Sequence, residues 1–244
     1  DIGMTNVSTY ISGSGLIGAS AKESLDSALF ELHNSFSISE IRVNGSSVNY
    51  SRNNSAIKVP VNATIGTSFT IEIDYDGLPP GAGTNPFGSA GMTADNSPSW
   101  GNYVVWSLSE PFSAYEWFPC KQSLRDKADS SAVNITVPDS CMAGSNGVLE
   151  DTISLGNGFT TYKWKHRHPI DYYLISVAIA KYVDYSIYAN PVGAPNPILI
   201  QNFIYDNPNT LPNFQADINE TADFLELFYE KYGPYPFENE KYGH

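Results

Sequence analysis

A chain of 244 residues with 41% hydrophobic and 16% charged residues can bury a sizeable core, and its length suits one large domain or one and a half. Its net charge of −13 disfavours nucleic acid and anionic membrane as partners, and suits cationic ligands such as a peptide's amino group. No apolar run is long enough to span a bilayer and no signal peptide heads the sequence, so the strand-like start at Asp1 reads as a processed or trimmed chain.

Residues 10–75 read as antiparallel β structure. Leu29 with Glu31, and then residues 38–43, are short predicted strands. Asn44-Gly45 is the strongest hairpin signal, because a type I′ turn needs positive φ at both central positions. Ile57, Val59 and Val61 alternate, as do Phe69, Ile71, Ile73 and Tyr75, with the period of half-buried strands. Such strands at regular spacing predict a sandwich or saddle of antiparallel sheets. Residues 77–100 are rich in Pro, Gly, Ser and Asn and too long for a plain hairpin. They read as a loop, either a surface insertion or a functional segment. None of its glycines has phosphate-loop spacing between a strand and a helix, which leaves nucleotide binding without support.

Residues 104–128, VVWSLSEPFSAYEWFPCKQSLRDKA, are the most informative stretch. Val104, Trp106 and Leu108 alternate with Val105, Ser107 and Ser109 as in a strand. Glu110 then stands directly before Pro111, ahead of a run of aromatics and prolines. A loop so rich in bulky groups must be buried or covered, so a carboxylate at its head is either paired or waiting for a cation. X-Pro bonds carry the smallest cis penalty, and a cis Glu110–Pro111 peptide is expected to aim the carboxylate out of the sheet. Tyr115, Trp117 and Phe118, with Tyr172 and Tyr173, read as core; a side-chain pocket beside Glu110 is their other reading.

Farther on, Val133, Ile135 and Val137 form a predicted strand with a turn at Pro138-Asp139, and Tyr162 and Trp164 alternate on the next. Residues 170–188 read as one or two buried strands, and residues 198–204 as one more. Then the period changes. Ile218, Ala222, Leu225, Tyr229 and Tyr232 fall on one helical face, which Gly233-Pro234 ends. A boundary near residue 206 divides the chain into 1–206 and 207–244.

Cys120 and Cys141 allow two readings, a disulfide in an oxidising compartment or two buried thiols. Four histidines are present, His33, His166, His168 and His244, and no two have the His-Glu-x-x-His spacing of a zinc helix. His166 and His168 lie two apart, as a weak metal pair or a solvated strand end, and the chain is read as carrying no metal ligand. No Gly-x-Ser-x-Gly elbow supports a serine triad.

Glu110 followed by Ala114 and by Phe118-Pro119-Cys120 resembles a segment in the N-terminal domain of the M1 family of zinc aminopeptidases. Tyr115 stands where the family usually has Arg, and Gln122-Ser123-Leu124 where it has Asp-Glu-Pro. Ser145-Asn146-Gly147, the run Ile170-Asp171-Tyr172-Tyr173-Leu174 and Tyr235-Pro236-Phe237 are similar to further family segments. The resemblance implies a mainly β, antiparallel, saddle- or sandwich-like N-terminal domain, followed from residue 207 by the helix that begins a thermolysin-like catalytic domain. It implies hydrolysis of the N-terminal peptide bond of peptides, zinc as the cofactor of the whole protein, and an exported bacterial setting.

By the same resemblance Glu110, with Pro111 and Tyr115 beside it, grips the substrate's α-ammonium through a charge-assisted bond in a desolvated place. Its partner glutamate belongs to a Gly-x-Met-Glu-Asn loop that, like the zinc motif, is expected after His244. The chain by itself is therefore expected to be a truncated, inactive piece without catalytic or metal-binding residues. The competing reading is a non-catalytic β-sandwich module that binds carbohydrate or a cell surface. The terminal helix argues against it.

Overall fold

A computed structural model describes residues 1–81 and 91–244; the middle of the loop read at 77–100 lies outside the described residues. Among the described residues the chain is mainly β, with several antiparallel sheets and one long helix near the end.

The alternating strand Ser68–Gly77 lies at the heart of the largest sheet. Phe69, Ile71, Ile73 and Tyr75 are all buried, while Thr70 and the acidic residues between them face outward. This strand pairs along its full length with Ile11–Ser20 on one side, and over residues 71–77 with Phe36–Val43 on the other. Phe36–Val43 turns through Asn44-Gly45, at φ 49 and 78, into Ser46–Ser47, as the hairpin signal requires. On the far side of Ile11–Ser20 the sheet continues through Ile2–Gly3, Ser131–Pro138, Phe159–His166 and Val148–Ser154.

A three-stranded sheet of Leu25–Glu31, Ala56–Ala63 and Ser51–Asn53 adds its buried face, Ile57, Val59, Val61 and Ala63, to the same core. Ile41, Ile135, Val137 and Trp164 belong to that core too. Fully burying one such aliphatic side chain is worth roughly 1.5–3 kcal/mol, so this shared core dominates the stability.

Four sequence expectations change at the level of strands. Tyr103–Ser107, between Met92–Asn96 and Val177–Ala180, buries Val104 and Val105 alike, so it is covered on both faces at these positions. Met92–Asn96 also means that the segment read as loop at 77–100 ends in a strand. Residues 170–188 break into a single turn of 3-10 helix, Tyr172–Leu174, and three short strands, Val177–Ala180, Tyr182–Asp184 and Ile187–Ala189, each in a different sheet. The strand expected at 198–204 is likewise two, Ile198–Gln201 and Phe203–Tyr205. The fully buried amide of Asn202 sits between them and donates to Tyr185 O at 2.9 Å and Ile200 O at 3.3 Å, supplying polar partners where the ladder is interrupted.

The helix Thr210–Tyr232 packs Leu225, Ala222 and Tyr229 on Ala189, Ile198 and Ile200. Tyr232, expected on the same stripe, is 84% exposed, because the packed face ends a turn earlier. Gly233 closes the helix at φ +93, its N–H on Tyr229 O at 3.0 Å.

The disulfide reading of the cysteines does not hold. Both are buried free thiols in different clusters, Cys141 in the main core and Cys120 in a small cluster with Ala114 and Tyr172. Burial pushes the Cys120 thiol far above its usual range, so it packs as a small apolar group.

Because Phe36 is buried within the shared core, Phe36→Ala is expected to cost about 3–5 kcal/mol in urea unfolding. Leu16→Ala, at a site 69% exposed, should stay within about 0.5 kcal/mol of the parent.

Candidate functional site

The segment 109–120 crosses from the strand Tyr103–Ser107 to the edge of the smaller sheet, and buried groups hold it at each step. Ser109 is buried and accepts the Ser113 N–H at 3.0 Å, which closes the turn that contains Glu110 and Pro111. The Glu110–Pro111 peptide is cis, as expected. After one turn of 3-10 helix, Ala114–Glu116, comes Trp117, 2% exposed, whose indole Nε1–H donates back to Ser109 Oγ at 2.9 Å. The Trp117 carbonyl accepts the hydroxyl of Tyr75 at 3.2 Å. Pro119 lies on the main sheet at Gly15, where a Cβ would come within 2.6 Å of the proline ring. Cys120 then exchanges two backbone hydrogen bonds with Glu31, at 2.8 and 3.0 Å.

Glu110 itself is exposed, and no hydrogen bond or ion pair engages its carboxylate among the described residues. The desolvated setting expected for it is absent among the described residues: Glu110 heads the loop beside the exposed Phe112, and the chain turns inward only from Ser113 on. Pro111 is exposed as well. Its carbonyl accepts the Tyr172 hydroxyl at 2.5 Å. Tyr115 is half-buried, packs with Ala114, Cys120 and Tyr172, and tilts against His33 at 5.8 Å between ring centroids. The buried carboxylate of this loop is Glu116, which accepts the Gly91 N–H at 2.7 Å. The two aromatic groups of the sequence do converge: Tyr115, Phe118, Tyr172 and Tyr173 share one cluster.

The Ser145-Asn146-Gly147 turn has a physical role. The Asn146 side chain accepts the Ser176 N–H at 2.8 Å and donates to Leu174 O at 3.0 Å, pinning the segment that carries Tyr172. Gly147 has φ +77, and a Cβ there would lie 2.1 Å from Lys165 O, so no other residue fits.

A second set of polar contacts had no signal in the sequence. His166, expected at a solvated strand end, is buried, and its Nδ1 meets Glu240 Oε2 at 2.5 Å. The other Glu240 oxygen accepts the Arg167 N–H at 2.7 Å. His168 contacts Asn239 and His244 contacts Asn202, while His33 is paired with Ser35. Lys241 donates to Ser145 O and to Gln201 Oε1, both at 2.9 Å, and lies 3.6 Å from the centre of the Trp164 ring. With the pairing of Tyr242–Gly243 beside Ile198–Gln201, these contacts seat residues 235–244 against the sheets. They flank a cleft of about 640 Å³ lined by Trp106, Asn146, Asp171 and Leu174 among others; Glu110 is not part of its lining. Among the described residues no three or more His, Cys, Asp or Glu side chains gather where they could hold a metal ion.

Burial pushes the Lys241 ammonium down to about 7 from an ordinary 10.5. The folded chain then holds that proton less tightly than the unfolded chain, so this group's contribution to stability rises with pH between about 7 and 10.5. Lys241→Met should therefore be most favourable relative to the parent near pH 7, and its advantage in melting temperature should shrink toward pH 10; parallel pH curves would refute this. Glu240→Ala leaves a buried imidazole and a backbone N–H without an acceptor, and is expected to cost about 2–4 kcal/mol in denaturant unfolding.

No protein-family description and no curated protein sequence matches the chain. Solved structures do. An M1 zinc metallopeptidase from Deinococcus radiodurans superposes with a TM-score of 0.81 at 22% identity, over 99% of this chain and 53% of that one. A mutant of an M1 zinc metallopeptidase from the same organism, bound to the substrate Tyr-Ser-Ala, gives a TM-score of 0.78 at 22% identity, over 99% and 54%. A leukotriene A4 hydrolase from Saccharomyces cerevisiae gives 0.66 at 19% identity, over 99% and 36%. The chain spans about half the length of the metallopeptidases it matches. Its fold is that of the β-rich N-terminal domain of M1 zinc metallopeptidases.

Proposed function

We propose that this chain is the substrate-amine-binding part of a zinc-dependent aminopeptidase, with residues 207–244 opening the domain that follows. The observation that carries the reading is Glu110: an exposed carboxylate without a partner among the described residues, on a loop tied down by buried groups, in a fold shared with M1 zinc metallopeptidases. One solved mutant of that kind is bound to the tripeptide Tyr-Ser-Ala. A carboxylate in this state can receive the α-ammonium of a peptide, and the interaction strengthens where the rest of the enzyme and the bound peptide exclude water. That contact selects the first residue of a chain, since an internal peptide nitrogen carries no charge.

The residues present do not fit a zinc site: the four histidines lie apart or are engaged by Ser35, Glu240, Asn239 and Asn202. In this reading the zinc ligands come from residues outside the 244 described by the sequence. Zinc bound there would supply Lewis-acid chemistry for peptide-bond hydrolysis. The part played by this chain is to bind and orient the amine. The −13 charge adds a weak attraction for a cationic N-terminus that salt would screen.

Glu110→Ala in the complete zinc-loaded polypeptide is expected to raise KM for free tripeptides by roughly 10–100-fold, the worth of one hydrogen bond to a charged group. Binding of an N-acetylated tripeptide, measured by calorimetry, should not change. Equal KM values for Glu110→Ala and the parent would remove Glu110 from the site.

A further inference from the structure

Glu110 is exposed, yet the residues on both sides of it are tied to buried aromatic side chains. On the N-terminal side the Trp117 indole N–H donates to Ser109 Oγ at 2.9 Å, with both residues 2% exposed. On the C-terminal side the Tyr172 hydroxyl donates to Pro111 O at 2.5 Å, from a residue 5% exposed. Each anchor is itself held. The Trp117 carbonyl takes the hydroxyl of Tyr75, and the segment beyond Tyr172 is bridged by Asn146 through Leu174 O and Ser176 N–H.

Packing alone would account for large apolar rings in this cluster. It does not require one polar hydrogen from each ring to end on the residues that bracket a single exposed carboxylate. The two bonds do the same thing from opposite sides, restricting the backbone of Glu110 while leaving its side chain open to a ligand. A carboxylate whose backbone is fixed on folding does not have to be ordered on binding, which is how preorganisation raises affinity.

We propose that Trp117 and Tyr172 are positioning residues, which hold the backbone on either side of Glu110 so that its carboxylate meets a peptide's α-ammonium in a set place. Trp117 acts through the Ser109 hydroxyl, and Tyr172 through the Pro111 carbonyl. This inference rests on the amine-binding reading of Glu110.

The test is a double-mutant cycle in the complete polypeptide. It uses Tyr172→Phe and Ser109→Ala, each alone and combined with Glu110→Ala, and the tripeptide Tyr-Ser-Ala and its N-acetyl form as probes. Both substitutions delete a single oxygen, and melting curves establish that each variant folds. Because misplacing a binding group by about 1 Å can cost up to 100-fold, Tyr172→Phe and Ser109→Ala are each expected to weaken binding of the free tripeptide roughly 10-fold by calorimetry and to raise KM rather than lower kcat. In the Glu110→Ala background, and with the N-acetylated probe, the same substitutions should have no effect. Equal losses with and without Glu110 would show a merely structural role and overturn the proposal. So would unchanged binding in both variants while Glu110→Ala weakens it. If Glu110→Ala alone left binding intact, the amine-binding reading would fail first and the positioning roles with it.

Discussion

A buried indole nitrogen has one hydrogen to give, and here Trp117 gives it to Ser109. The segment 109–120 runs between two sheets, and from Ser113 on most of its backbone and side-chain polar groups are cut off from water and must find partners within the protein. The indole closes the loop on itself, the Tyr75 hydroxyl fixes the Trp117 carbonyl to the main sheet, and the bridge to Glu31 stitches the end of the loop to the smaller sheet. Leaving any one of these buried groups unpaired costs about 1–3 kcal/mol, so the loop has one arrangement that meets them all. Glu110 is left outside because the chain turns inward only from Ser113, with Pro111 and Phe112 also exposed.

The last ten residues obey the same rule with charges. Glu240 is almost completely buried and accepts from a ring nitrogen and a backbone N–H, so neither of its oxygens lacks a donor. Lys241 sets its ammonium over the Trp164 ring and donates from it to two oxygens, one on the Ser-Asn-Gly turn and one on Gln201. The turn that braces the Tyr172 segment through Asn146 is thus also where Lys241 docks. The Glu110 loop and the end of the chain are supported by a common part of the sheets, which gives the fold a stiff platform beside an open cleft.

Much of this was legible in the residues. The alternation of Phe69 to Tyr75 and of Ile57 to Val61, the positive-φ turn at Asn44-Gly45 and the glycine stop at Gly233 are local effects, and each appears where its local physics put it. The proline at 111 only permits the cis bond seen at Glu110–Pro111; the surrounding fold selects it. Strands covered on both faces were read less well. Val104 and Val105 are both buried, and the apolar run at 170–188 is split among sheets, since a continuous apolar stretch carries no period to read. The two cysteines show the same limit: sequence spacing says nothing of whether two thiols meet, and these enter separate clusters.

By itself the sequence determined the β-rich class, the change to helix near residue 206 and the likeness centred on Glu110, because periodicity and short motifs are properties of neighbours along the chain. Only the tertiary structure decided that Glu110 is open while Glu116 is buried, that Trp117 and Tyr172 bracket Glu110, and that His166 belongs with Glu240. Those partners lie 61 residues apart for Tyr172 and Pro111 and 74 for His166 and Glu240, and hydrogen bonds at such separations depend on how the sheets stack rather than on local sequence.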